Sequence, residues 1–165
     1  MKKFAVLLIF AAAAGLGAFL FLRGDSDEAR VKKVIGRFCA MATKREGENP
    51  AAGALLISRT DEIFAPEVRI QVVRGGFDGS YTPGRLTSEL ARCRAVFRRV
   101  TVRAQDEEIS FPEKDKAFVV FSGTLSGDTK TGTAVSEVRD VECSLVRLEG
   151  KWKISQLIVH EVLER

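Results

Sequence analysis

An uninterrupted apolar segment near the N-terminus constrains this chain more than any other feature. Residues 4–22, which lie between Lys3 and Arg23, form a run of about 19 apolar residues. A helix with a rise of about 1.5 Å per residue crosses a hydrocarbon core of about 30 Å with such a run. The sequence therefore predicts one transmembrane anchor in residues 1–24 and one domain in residues 25–165.

The charges on either side of the apolar segment predict its orientation. Two lysines precede it, whereas Asp25, Asp27 and Glu28 follow it. Because positive residues favour the cytoplasmic side, we expect a single-pass protein of the bacterial inner membrane with a cytoplasmic N-terminus and a periplasmic domain. The alternative is a cleaved signal peptide and a secreted domain. Cleavage at the alanines of residues 12–14 would leave residues 16–22 as an apolar new N-terminus.

Composition excludes several classes of function. The chain has a net charge of +4, but the leader holds three basic residues and no acidic one, so the remainder carries only +1. A nearly neutral domain lacks the concentrated basic face that nucleic acids require. Cys39, Cys93 and Cys143 lack the spacing of a zinc site or a thioredoxin motif. We expect all three cysteines to be small core residues, and a disulfide between two of them stays an open alternative. We expect no metal, cofactor or nucleic acid.

The order of hydrophobic patterns predicts an α+β domain with helices first and a sheet second. Apolar residues recur at helical spacing from Val31 to Ala42, and a second helix is predicted from Pro50 to about Phe64. Alternation predicts a strand over Val68–Val72, followed by a glycine-rich loop and a third helix that starts at Pro83. The remaining strand-like runs are 100–104, 108–111, 117–125, 135–148 and 152–163.

A two-residue turn at Glu149-Gly150 predicts a hairpin and its register. Glycine at the second position suits a type I′ turn. Counting outwards pairs Arg147 with Trp152, Leu145 with Ile154, Val141 with Ile158 and Arg139 with His160. His160 would then share a face with Trp152 and lie opposite Arg139. A bulge of one residue would swap the faces and bring Asp140 and Glu142 to that side instead.

Two local segments carry a resemblance to a known superfamily. Ile63-Phe64-Ala65-Pro66-Glu67-Val68-Arg69-Ile70 and Gly150-Lys151-Trp152-Lys153-Ile154, within the order of elements above, resemble the nuclear transport factor 2-like, or SnoaL-like, superfamily. The resemblance implies three N-terminal helices packed on a strongly curved, mostly antiparallel sheet, which forms a cone with a pocket and often dimerises through its outer face. Such proteins include isomerase-like and cyclase-like enzymes, dehydratases and members that only bind or assemble, so the fold does not select a function.

Four residues are candidates for the pocket. His160, the single histidine, is the candidate acid/base because an unperturbed imidazole titrates near pH 6.5. Tyr81, Arg139 and Trp152 complete the predicted ligand-binding set. Each also has a structural interpretation: Tyr81 as a cap on a loop, Trp152 as a core residue, and His160 as a solvated residue at a strand end.

The leading hypothesis is a membrane-anchored, non-catalytic envelope domain for binding or assembly. It would be a homodimer through the outer sheet face, where Leu157 and Val159 are expected to supply apolar contact, with a small apolar ligand or an envelope protein as partner. The alternative is an isomerase or dehydratase in which His160 acts as acid/base and Arg139 orients an anionic group. A third hypothesis is lipid contact by the arginines of the third helix, Arg85, Arg92 and Arg99 among them.

Overall fold

A computed structural model describes residues 26–73 and 77–161 of the chain. The predicted anchor in residues 1–24 lies outside the described residues, as do Gly75 and Gly76 of the predicted loop. The chain divides into two compact units, Met1–Arg30 and Val31–Arg165, and of the first unit only residues 26–30 are described. None of the helices in the described part of the chain has the length and apolar character needed to span a bilayer.

The described residues contain four helices, and capping chemistry explains where the second of them begins. They are α1 (Asp27–Ala42), α2 (Pro50–Ile57), α3 (Thr60–Ile63) and α4 (Pro83–Val96). Asn49 caps α2, because its Oδ1 accepts a hydrogen bond of 2.9 Å from the Ala51 N–H and Pro50 takes the first helical position.

The predicted second helix is wrong in its extent, since the chain breaks between α2 and α3 and Phe64 already starts a strand. The break lets Thr60 become buried against α4. There its hydroxyl bonds to Pro83 O at 3.0 Å and lies 2.8 Å from the Thr87 hydroxyl. A continuous helix through Ser58 was predicted because sequence periodicity does not show this contact.

The strands form one mixed sheet, which confirms the predicted α+β class. They are β1 (Phe64–Val72), β2 (Phe77–Tyr81), β3 (Phe97–Glu113), β4 (Lys116–Thr129), β5 (Ala134–Leu148) and β6 (Lys151–Glu161). In the described residues their order is β2-β1-β6-β5-β4-β3, and only the β1–β6 pair is parallel. Strand β2 corrects the predicted loop: Tyr81 pairs with Val68 at a sheet edge.

Helix α1 packs on the face of the sheet that we call the inner face. The helix buries Val31, Ile35 and Cys39 at helical spacing. The rings of Phe38 and Phe64 meet edge to face, with centroids 5.9 Å apart. Each fully buried aliphatic or aromatic side chain contributes about 1.5–3 kcal/mol. The inner face supplies Val119, Phe121, Val141, Cys143, Leu145, Trp152, Ile154 and Leu157 to the same core.

The β5–β6 hairpin begins in the predicted register and then departs from it. Glu149 and Gly150 both have positive φ, 49° and 75°, as a type I′ turn requires. The predicted pairs Arg147–Trp152 and Leu145–Ile154 are present, but Ser144 pairs with Gln156, so Ser155 is an extra residue in β6.

Relative to a regular ladder, this bulge exchanges the two faces for all later side chains of β6. Val141 pairs with Val159, and Asp140 with His160. The predicted pairs Val141–Ile158 and Arg139–His160 are therefore wrong by one residue. Because side chains alternate along a strand, the bulge places Leu157 and Val159 on the inner face, and Ile158 and His160 on the outer face. The expected dimer contact through Leu157 and Val159 is corrected for the same reason.

Arg94 of α4 ties the end of α1 to the rest of the core. Its guanidinium donates to Met41 O at 2.7 Å and to Thr43 O, and forms an ion pair with Glu48. These bonds satisfy carbonyl groups that a helix end leaves unpaired. In the same region, Lys44 Nζ donates to Phe97 O at 2.7 Å. Arg94 is thus a buried structural residue and is not available for the lipid contact expected of the arginines in this helix.

Candidate functional site

A cavity of about 220 Å³ lies between α1 and the inner face of the sheet. Strands β3, β4, β5 and β6 each contribute side chains to it, because alternate residues of every strand point inwards. Gly123 contributes none, and a Cβ at this position would lie 3.2 Å from Val141 Cγ2. The apolar lining residues are Phe38, Val102, Phe121, Leu125, Val141, Leu157 and Val159.

Charged side chains lie on one side of this cavity, at the start of β5. Glu137 and Arg139 both line it and are two residues apart, so they share a face with Val141. The Arg139 guanidinium lies 3.1 Å from Glu137 Oε2 and donates to Val138 O at 3.2 Å. The side chains of Arg139 and Glu137 are 38% and 51% exposed. We call Glu137 and Arg139 the charged rim of the cavity.

Of the four predicted site residues, only Arg139 lines this cavity. His160 lies on the outer face, where its Nε2 is 2.9 Å from Glu142 Oε1. The bulge at Ser155 is the cause, because it reverses the direction of every later side chain in β6. His160 therefore does not meet Arg139 across the pocket as the regular register predicted.

Trp152 and Tyr81 are placed at other parts of the domain. Trp152 is buried in the core, with its ring centroid 5.8 Å from that of Phe111 and the Arg147 guanidinium 4.5 Å from it. Tyr81 lies on edge strand β2, and the Arg85 guanidinium lies 5.0 Å from its ring centroid. Trp152 is thus a core residue, as its structural interpretation has it, whereas Tyr81 belongs to a strand and not to a loop. Each ring makes cation–π contact outside the cavity.

Two cavity residues were not singled out from the sequence. Glu137 could have been found as the carboxylate two residues before Arg139 on the same strand face. Cys39 also lines the cavity, and burial raises the pKa of its thiol, with a smaller contribution from Glu107. Burial likewise raises the pKa of the Cys143 thiol. Both sulfurs therefore stay protonated at neutral pH and act as small apolar groups.

A second hollow of about 430 Å³ lies between α1 and α2. Cys39 and Val102 line both hollows, so they form the wall between them. Residues 26–73 and 77–161 contain no group of three or more His, Cys, Asp or Glu side chains arranged to hold a metal ion. What this part of the chain offers is an apolar interior with a charged rim.

No protein-family model and no curated protein sequence matches the chain, whereas solved structures do match it. The Kfla4162 protein of Kribbella flavida has a TM-score of 0.67 at 14% identity, over 84% of this chain and 93% of that one. A nuclear transport factor 2-like protein with a cystatin-like fold from Novosphingobium aromaticivorans has a TM-score of 0.63 at 16% identity, over 92% and 91%. A hexachlorocyclohexane dehydrochlorinase from Novosphingobium barchaimii has a TM-score of 0.63 at 13% identity, over 81% of this chain and 84% of that one. These matches show the nuclear transport factor 2-like fold.

Proposed function

We propose that the chain is a membrane-anchored, non-catalytic binding domain that takes a small apolar ligand into its inner cavity. The apolar lining of that cavity is the observation that carries the proposal. Proton abstraction beside a carbonyl needs a base and an oxyanion donor at one place. Here Glu137 is paired with Arg139 at the rim, and His160 faces outwards.

The size of the cavity limits the ligand. A dry cavity of about 150 Å³ lined by apolar side chains accepts one benzene ring. A cavity of about 220 Å³ therefore suits a single ring with a short substituent, or a short branched chain. A sterol or a long acyl chain would not fit inside it completely.

Binding of a single-ring probe tests this proposal. Toluene is titrated into the full chain in lipid nanodiscs and binding is followed by NMR. Val159→Phe fills the cavity and is expected to abolish binding, whereas Val138→Phe, at an outward position that is 47% exposed, is expected to keep it. Equal binding by wild type and Val159→Phe would contradict the proposal, and so would a complete lack of binding by wild type.

Membrane attachment is part of the proposal and is supported by the apolar run of residues 4–22. We propose that it stays uncleaved and holds the domain on the periplasmic side of the inner membrane. Carbonate extraction of membranes should leave the full chain in the pellet, and deletion of residues 4–22 should release it. A mature N-terminus beyond residue 18 would instead establish the cleaved, secreted form.

We also propose a homodimer through the outer face of the sheet. Val120 and Ile158 flank Glu142 in register across β4, β5 and β6, and Val138 is exposed on the same face. Val120→Lys should shift the chain from dimer to monomer in light scattering. Leu55→Lys on α2, a change at an exposed apolar residue away from this face, should not.

A pocket enzyme of the isomerase or dehydratase type is the second candidate, which the likeness to a dehydrochlorinase favours. In this chain the cavity carboxylate is Glu137, so a base would come from Glu137 and not from His160. Activity that disappears in His160→Ala but survives in Glu137→Gln would overturn this assignment.

A further inference from the structure

We propose that the ligand of the inner cavity is an apolar carboxylate, whose ring or short chain fills the cavity and whose carboxylate binds Arg139. This inference rests on the proposed binding function and specifies the chemical class of the ligand. The interior accounts for the apolar body, and the charged rim selects the head group.

Arg139 has the hydrogen-bonding capacity to receive a second carboxylate. A guanidinium has five N–H donors in a fixed fork. In the described residues Arg139 uses one nitrogen towards Glu137 and another towards Val138 O. Its side chain remains 38% exposed at the cavity, so the unused donors are open to a ligand. Two parallel N–H···O bonds to a carboxylate are the arrangement that this fork favours.

Glu137 holds the position that the ligand's carboxylate would take. Its side chain is half exposed, and an ion pair of that kind contributes little to stability because water screens it. Glu137 can therefore rotate into solvent when a ligand arrives. A ligand whose apolar body is buried in the cavity has an advantage that Glu137 lacks, since the Glu137 side chain buries no apolar body there.

The contacts of Arg139 favour an anion over a cation. A cationic ligand would have to displace Arg139 from Glu137, whereas an anionic ligand can use the Arg139 donors that Glu137 and Val138 O leave free.

Three single-ring probes of similar shape test the inference: phenylacetate, the neutral phenylacetamide and the cationic benzylammonium. They are titrated by calorimetry into the full chain in lipid nanodiscs. Phenylacetate is expected to bind at least about tenfold tighter than phenylacetamide, because only the carboxylate forms charge-assisted bonds with Arg139. Arg139→Gln should remove this preference, so that phenylacetate binds no tighter than phenylacetamide. Glu137→Gln should strengthen phenylacetate binding, because the internal competitor is weakened. Arg92→Gln, an exposed arginine on α4, is the matched control and should change neither affinity.

The outcomes separate this inference from the proposed function. Equal affinities for phenylacetate and phenylacetamide, both lost in Val159→Phe, would overturn the carboxylate assignment while the binding function stands. Tightest binding of benzylammonium would also overturn it and would assign the head-group contact to Glu137. If wild type binds none of the three probes, the binding function itself fails.

Discussion

His160 Nε2 lies 2.9 Å from Glu142 Oε1 on the outer face of the sheet. The two residues are diagonal neighbours, because Glu142 pairs directly with Ile158, two residues before His160. Both side chains are about one-third exposed. The pair joins β5 to β6 on the surface opposite the cavity.

His160→Ala should therefore lower stability slightly and leave the cavity's ligand binding unchanged. Cross-strand pairs of this kind contribute about 0.2–1 kcal/mol. Urea denaturation gives the change in unfolding free energy, and titration of toluene gives the binding. The adjacent change Val159→Ala should instead alter toluene binding, because Val159 lines the cavity. Loss of binding in His160→Ala would show that the side chain reaches the ligand.

Deletion of Ser155 tests whether Ser155 is the extra residue of the bulge. Ile154 pairs with Leu145 and Gln156 with Ser144, so removal of Ser155 would leave a regular ladder in which Leu157 and Val159 still face inwards. The deletion should therefore keep the fold and lose mainly the hydroxyl's 3.2 Å hydrogen bond to Ser144 O, which contributes about 1 kcal/mol. Ser155→Ala removes only that bond and is the control. Leu157→Ala, which truncates a buried side chain, should cost about 2–5 kcal/mol. Unfolding of the deletion variant, or a loss of stability as large as that of Leu157→Ala, would contradict the face assignment.

The hairpin shows how far the sequence predicts this fold. The turn at Glu149-Gly150 follows from local φ requirements, and alternation places Trp152 and Ile154 correctly. The bulge at Ser155 has no such local signal, because the residues around it do not show whether β6 continues as a regular strand or contains an extra residue. It is set by packing, since Leu157 is buried in the core.

The placement of the candidate site residues depends on the bulge at Ser155. Arg139 was found because β5 keeps its register with β4 up to the charged rim, where Arg139 pairs with Gly123. His160 was misplaced because it lies beyond the bulge. Thr60 shows a similar limit, since its buried contact with α4 breaks the predicted second helix. Contacts between residues far apart in sequence decided both cases.

Arg94→Ala should be strongly destabilising. The change would leave the carbonyls of Met41 and Thr43 and the Glu48 carboxylate without their donor in a buried place. Removal of one member of a buried ion pair costs about 3–5 kcal/mol. Arg92→Ala, two residues earlier on the same helix with a side chain 75% exposed, should change stability by less than about 0.5 kcal/mol. Similar denaturation midpoints for the two variants would contradict a structural role for Arg94.

The Arg69–Asp78 pair should make the β1–β2 pairing sensitive to acid. Arg69 Nε and an Nη atom bond to Asp78 at 3.0 and 2.7 Å, and these bonds hold the pKa of the Asp78 carboxyl below its usual range. A carboxyl whose pKa is lowered on folding contributes stability above its unfolded pKa and loses it as pH falls through the folded value. In hydrogen exchange, Asp78→Asn should therefore weaken protection of β1 and β2 amides at pH 7 and have little effect near pH 2. An effect of equal size at both pH values would mean that the carboxylate charge is not involved.

The three cysteines should differ sharply in their reaction with a thiol reagent. Cys93 is exposed, whereas Cys39 and Cys143 are buried and burial raises the pKa of both thiols. Since the thiolate is the reactive form, the native chain at pH 8 should react rapidly at one thiol and the unfolded chain at three. Cys93→Ser should remove the rapid phase. Only one reactive thiol after unfolding without reductant would show that Cys39 and Cys143 are bonded to each other.

The slower reaction of the two buried thiols, Cys39 and Cys143, also reports on the cavity. Cys39 lines the cavity, whereas Cys143 lies in the core beneath α1. A ligand that fills the cavity should therefore slow modification of Cys39 in the Cys93→Ser background, and Val159→Phe should slow it without any ligand. Modification of Cys143 requires opening of the core, so its rate should follow global stability instead. If a saturating ligand slows the two thiols by the same factor, the protection comes from stabilisation of the whole domain and the ligand does not lie against Cys39.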